Sequence, residues 1–155
     1  MTMTIRTNKK QRGIAAIEFA IVVPVMLFLM LATAEFGRVF YHYNTLTKAV
    51  QTGARYASKP LMTTNELTNL DAGFKQKIQN FVVYGNENGG GAAVLNGFAA
   101  SSTNVSISTD IANKTITIEA QYNYDFAVLS DLPFIGYILP TLTLKSSVVT
   151  DTSLG

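Results

Sequence analysis

One carboxylate stands alone at the front of this chain. Glu18 lies five residues past Gly13, and it is the only charged residue between Ile14 and Ala34. An ionised group that deep in a membrane-length apolar run costs a few kcal/mol on insertion scales and marks a functional position by default. Such a charge calls for a cationic partner, because an uncompensated buried charge is strongly destabilising. The segment before it is the opposite in sign: residues 1–13 carry Arg6, Lys9, Lys10 and Arg12 and no acid.

Other chemistry-bearing residues are poorly placed for catalysis. His42 is the only histidine, so a Ser/His/Asp arrangement has one possible base and no partner at a telling spacing. It falls on what reads as the polar side of a helix and is expected to be solvated. Asp110, Glu119, Asp125 and Asp131 fall in or near strands and turns without metal-ligand spacing, and read as surface residues. The glycine-rich run 85–91 lacks the Gly-Lys-Ser/Thr ending of a phosphate-cradling loop and reads as a flexible connection. The triplets at Asn104 and Asn113 match glycosylation sequons, a pattern that arises readily by chance. No enzyme activity, cofactor or metal is expected.

The elements that must position Glu18 follow from periodicity. The 21 residues 14–34 would span ~32 Å as a helix, the thickness of a bilayer core. A cleavable secretory segment is shorter, although Ala32-Thr33-Ala34 faintly resembles a signal-peptidase site. The basic flank places residues 1–13 in the cytoplasm and the remainder outside. Without that flank, eight basic residues face ten acids, which leaves no basic stripe for nucleic acid. There is no cysteine, so the exported part must rest on packing.

Helical periodicity continues past the membrane exit. Phe36, Val39, Phe40, Tyr43, Leu46 and Val50 recur at three- and four-residue spacing, extended by Gly53, Ala54 and Ala57. Glu35, Arg38, His42, Lys48, Gln51 and Arg55 read as lying mostly off this apolar face. Lys59-Pro60 ends the pattern. One helix from Ile14 to Ser58 is expected, about 65–70 Å long, with Pro24 kinking its membrane half. A second helix is expected over 65–83. Strands are expected at Val105–Thr109, Thr115–Tyr124 and Leu142–Val148, with Asp110 to Asn113 as a hairpin turn. The fold class is therefore α+β: a long transmembrane-to-amphipathic helix packed on a small domain with a second helix and a three-stranded antiparallel sheet. The apolar loop from Pro133 to Pro140 is expected to pack under that sheet or to face lipid or another subunit.

The run Arg12-Gly13-Ile14-Ala15-Ala16-Ile17-Glu18-Phe19-Ala20, followed by Pro24, resembles the N-terminus of the TadE-like family, small pseudopilins of tight-adherence (Tad/Flp) pilus systems. The stretch from Ala49 to Ala57 resembles the small-residue, arginine-containing end of that family's long helix. The resemblance implies cleavage after Gly13 by a prepilin peptidase, with Ile14 as the mature N-terminus. Physical chemistry agrees, since glycine lets a protease approach the backbone closely. Cleavage would expose an amine on Ile14 one helical turn from Glu18, and Phe19 beside it would share the assembly contact. The implied partners are the major Flp pilin, a sibling minor pilin, the prepilin peptidase, an inner-membrane assembly platform and the lipid bilayer.

On this reading residues 1–13 form a leader, 14–34 a transmembrane segment, 35–59 an amphipathic segment and 60–155 an extracytoplasmic domain. The chain would be a bacterial inner-membrane protein with its C-terminal domain in the periplasm. The alternatives are a pseudopilin of a type II secretion or type IV pilus system, which usually carry Phe after the glycine and Thr-Leu before the glutamate, or an anchored periplasmic binding or adhesion domain.

Overall fold

A computed structural model describes residues 9–59, 67–126 and 141–152. Arg6, Pro60, the start of the expected second helix, Asp131 and the proline-bracketed loop lie outside the described residues.

Helix α1 runs from Lys9 to Ala57. It begins inside the basic segment rather than at Ile14, and neither Gly13 nor Pro24 interrupts it. Pro24 removes one backbone hydrogen bond, yet the flanking turns remain α-helical. Threonines within the helix return their hydroxyls to the carbonyl one turn back. Thr33 bonds Leu29 at 2.8 Å and Thr52 bonds Lys48 at 2.9 Å. Such back-bonding leaves no unsatisfied hydroxyl on an apolar surface.

Helix α2 spans Ala72–Tyr84, and is shorter than the periodicity predicts. Asp71 caps it by accepting from the Phe74 amide at 3.2 Å, which sets its first turn after residue 71. Gly85 ends it in a left-handed conformation (φ 73°) that few other residues adopt cheaply, its amide bonding Phe81. The glycine-rich run that follows is held rather than loose. Asn80 Nδ2 donates to the Glu87 carbonyl, and Asn86 both donates to Gly90 and accepts from the Gly89 amide. A side chain at Gly89 would meet Asn80 at 2.8 Å. Composition alone hid these asparagine clamps.

Strands β1 (Val105–Asp110), β2 (Thr115–Tyr124) and β3 (Leu142–Asp151) form an antiparallel sheet in the order β1-β2-β3. The hairpin turn is built on Asp110, which accepts from the Ala112 and Asn113 amides and from Asn113 Nδ2. The Asn113 side chain leads in holding that carboxyl below its usual range. Period-two alternation assigns the faces: Ile116, Ile118, Ala120 and Tyr124 are buried, and Leu144 joins them from β3.

The core lies between this face and two helices. Leu46, Ala49, Val50, Ala54 and Ala57 of α1 meet Ile78, Val82 and Val83 of α2 and the inner sheet residues. The lengths agree: a ten-residue strand extends ~33 Å, and residues 35–57 rise ~34 Å as helix. The sheet therefore backs the whole length of α1 beyond the apolar segment. Tyr56 stacks on Phe81 at 4.3 Å and joins the helices near the loop.

The helices pack closely at Gly53, where an added Cβ would sit 2.5 Å from Val82 Cγ2. Gly53→Leu is expected to lower stability by about 1–3 kcal/mol through overpacking. Gly37 faces open space, so Gly37→Ala is expected to be neutral or to stabilise by up to about 1 kcal/mol. Thermal unfolding of the detergent-solubilised chain, followed by near-ultraviolet circular dichroism, reads both.

Candidate functional site

Two groups of residues on α1 bear on function. The first surrounds Gly13 and Glu18. Gly13 has nothing within 4 Å of the position a Cβ would take. Ile14 and Phe19 are uncovered, at 67% and 68%, and Glu18 is exposed. Ile14 and Glu18 are four residues apart, so they share one face a turn apart. No described residue of the folded domain covers this face. Lys9, Lys10 and Arg12 lie on the first turns of the same helix.

From Glu18 an uncovered apolar line climbs the helix at three- and four-residue spacing. Val22, Val25 and Leu29 carry it through the apolar segment, and Phe36, Phe40 and Tyr43 carry it beyond. Phe36 stands five full turns above Glu18, at about 3.6 residues per turn, so both have the same azimuth. This corrects the periodicity reading, which placed Phe36, Phe40 and Tyr43 on the domain-facing side. Phe36 and Phe40 are each 64% exposed and Tyr43 is 44% exposed.

The second group is buried at the point where α1 leaves the apolar segment. Glu35 is 1% exposed, although it reads in sequence as lying off the apolar face. Its Oε1 accepts from the Tyr124 hydroxyl at 2.7 Å, a contact between residues 89 positions apart. Its Oε2 lies 3.7 Å from Arg38 Nη1, and the Arg38 side chain reaches solvent. Burial, and then the hydrogen bond to Glu35, push the Tyr124 phenol up to about 12.

His42, expected in solvent, lies half-buried against the same tyrosine. Its ring is stacked with Tyr122 at 5.7 Å and edge-on to Tyr124 at 5.0 Å. Its Nδ1 is buried without a hydrogen-bond partner, and burial lowers its pKa. The signal for both residues was present. Glu35, Val39, His42, Leu46, Ala49 and Gly53 share one helical face, one residue out of phase with the aromatic line. Val39, Leu46, Val50, Ala54 and Ala57 face the domain as the periodicity predicts; over the first turns the sheet takes the phase of Glu35, Val39 and His42 in place of the larger aromatic side chains.

The geometry defines an α+β domain clamped to a long apolar helix that fits a single-pass membrane anchor. Among the described residues one helix, Gly13–Ala57, is long and apolar enough to cross a bilayer. Residues 13–55 match the family model for TadE-like protein, the family that the N-terminal motif resembles. That match covers α1, including Gly13, Glu18 and Glu35, and stops before α2 and the sheet. No curated protein and no solved structure matches the chain.

The Glu35–Tyr124 contact has a pH signature. The folded phenol ionises near 12 and the free one near 10. Its stabilisation is therefore complete below pH 10 and is lost as pH rises from 10 towards 12. Tyr124→Phe is expected to cost about 1–3 kcal/mol at neutral pH, by removing a hydrogen bond to the buried Glu35. It is also expected to flatten the fall in melting temperature between pH 10 and 12. Unfolding curves of both chains across that range check the two effects.

Proposed function

We propose that this chain is a non-enzymatic minor pilin or pseudopilin of a tight-adherence pilus. It is held in the bacterial inner membrane with its N-terminus in the cytoplasm. It is cleaved after Gly13, and it takes part in priming, tipping or stabilising the filament through α1. The observation that carries this reading is the uncovered line from Glu18 to Tyr43. Lipid covers its lower part, but Phe36, Phe40 and Tyr43 rise beyond a ~32 Å apolar span. Exposed apolar surface of that continuity marks an interaction site, and a neighbouring pilin helix matches its length and shape. The TadE-like match over residues 13–55 supports the association with a Tad system.

In this reading Glu18 receives the α-amino group of an Ile14, its own or a neighbour's. A subunit entering out of register leaves one charge of the pair buried and alone, typically at 3–5 kcal/mol. Selection for register follows from that penalty. The proposed partners are the major Flp pilin, a sibling minor pilin, the prepilin peptidase and the inner-membrane platform.

An anchored periplasmic domain that acts alone has one observation in its favour. Aromatic residues just outside an apolar segment also form interfacial belts, and Phe36, Phe40, Tyr41 and Tyr43 occupy that position. The two readings separate on maturation and on assembly.

Mass spectrometry of the protein from cells with and without the prepilin peptidase is expected to show an N-terminus at Ile14 that depends on the enzyme. An intact start would leave the anchored-domain reading, and a cut near Ala34 would make the chain a secreted one. Glu18→Ala and the double change Phe36→Ser, Phe40→Ser, each at normal subunit levels, are expected to reduce piliation about tenfold or more. Full piliation in the Glu18 variant would sink the assembly role.

A further inference from the structure

Among the described residues, the face of the sheet turned away from α1 is exposed and mostly polar, with hydroxyl and amide side chains around Glu119 and Lys145 and one exposed apolar residue, Val149. A groove of ≈ 510 Å³ crosses all three strands there, between Asn104 and Ser106, Glu119 and Gln121, and Lys145 and Ser147. A second hollow of ≈ 270 Å³ shares Asn104 and Gln121 with it and continues towards Asn96 and Asp125. The first lies within the range of ligand clefts, roughly 300–1,000 Å³.

Such clefts are ordinarily lined by apolar side chains, and this one is not. Register places Glu119 opposite both Ser106 and Ser147, and Gln121 opposite Lys145. The acid and the amine are therefore diagonal neighbours on one face, about 7–8 Å apart at the backbone, and they form no ion pair among the described residues. Gln121 spends its Nε2 on the Thr103 carbonyl, and Asn104 spends its Nδ2 on the Ala99 carbonyl. Each amide is thereby oriented, with its oxygen left as an acceptor.

We propose that this groove binds a neutral saccharide. A ligand that satisfies it must offer hydrogen-bond donors and acceptors along its whole length and carry little net charge. Glu119 accepts from two hydroxyls, Lys145 donates to hydroxyl or ring oxygens, and the serine hydroxyls and amide oxygens bridge the rest. The carboxylate disfavours a polyanion, the amine disfavours a cation, and the lining has no apolar pocket for peptide side chains. The placement suits the role, because any assembly through α1 leaves the opposite sheet face outward. The inference goes beyond the pilin reading and does not require it, since an anchored domain would present the same face.

The test uses the full chain in a polyoxyethylene detergent, whose headgroup contains no sugar. It is applied to an array of neutral, sialylated and sulfated glycans. Retention on neutral glycans is expected. It is expected to fall at least tenfold in Glu119→Ala and in Lys145→Ala, both exposed positions, with circular dichroism unchanged. Lys77→Ala, on α2, is expected to bind as the parent does. Three results would overturn the proposal: no neutral glycan retained, retention confined to sialylated or sulfated glycans, or neutral binding undiminished in both groove variants. A Glu18→Ala chain that fails to assemble but still binds separates this site from the assembly reading.

Discussion

A helix that leaves a membrane and at once becomes the spine of a folded domain must change the partners of its apolar surface without breaking its backbone. α1 does so at Glu35. Below it the apolar side chains are mostly exposed, as suits a membrane anchor. Above it one face turns inward to the sheet. The carboxyl group at this boundary is buried, with Tyr124 donating to one oxygen and Arg38 approaching the other. Tyr124 is the last residue of β2, so this contact fixes where the sheet ends along the helix. The register of the remaining core residues follows from it.

The same helix has two faces with different occupants. The face centred on Leu46 and Gly53 is filled by the domain, and Val82 lies so close to Gly53 that a larger residue there would force it to shift. The face that climbs from Glu18 through Phe36 to Tyr43 is left uncovered by the described residues. Division of labour by azimuth lets one element serve both a subunit's core and contacts between subunits. The polar sheet face lies on the far side of the domain from both. Packing through α1 and recognition through the sheet would therefore not compete for surface.

Much of the architecture was legible before any coordinates. Period-two alternation through Thr115–Tyr124 assigned strand and buried face together, because a one-residue error would have turned every side chain over. Asp110 and Asn113 announced their turn by side-chain chemistry that acts over three residues. The α2 boundary was harder, since its cap at Asp71 competed with an apolar pattern that ran on past it. The asparagine clamps around the glycine-rich loop left no trace in composition, because an amide's partner is set by geometry.

Local order therefore decided most of what the sequence alone determined: the membrane-length helix, the isolated Glu18 after Gly13, the three strands and their faces, and the resemblance carried by residues 12–24. Each depends on neighbours within a turn or a pleat. Tertiary structure alone decided which of two adjacent helical phases is buried over residues 35–43; further on, Val50, Ala54 and Ala57 of the first phase are buried beside Leu46 and Ala49 of the second, as periodicity predicts. A 3.6-residue period admits both the aromatic line through Phe36 and Phe40 and the line through Glu35, Val39 and His42. Hydrophobicity favours the first. The sheet chose the second, because Tyr124 brings to Glu35 a hydrogen bond from 89 residues away, and no local pattern records a partner at that distance.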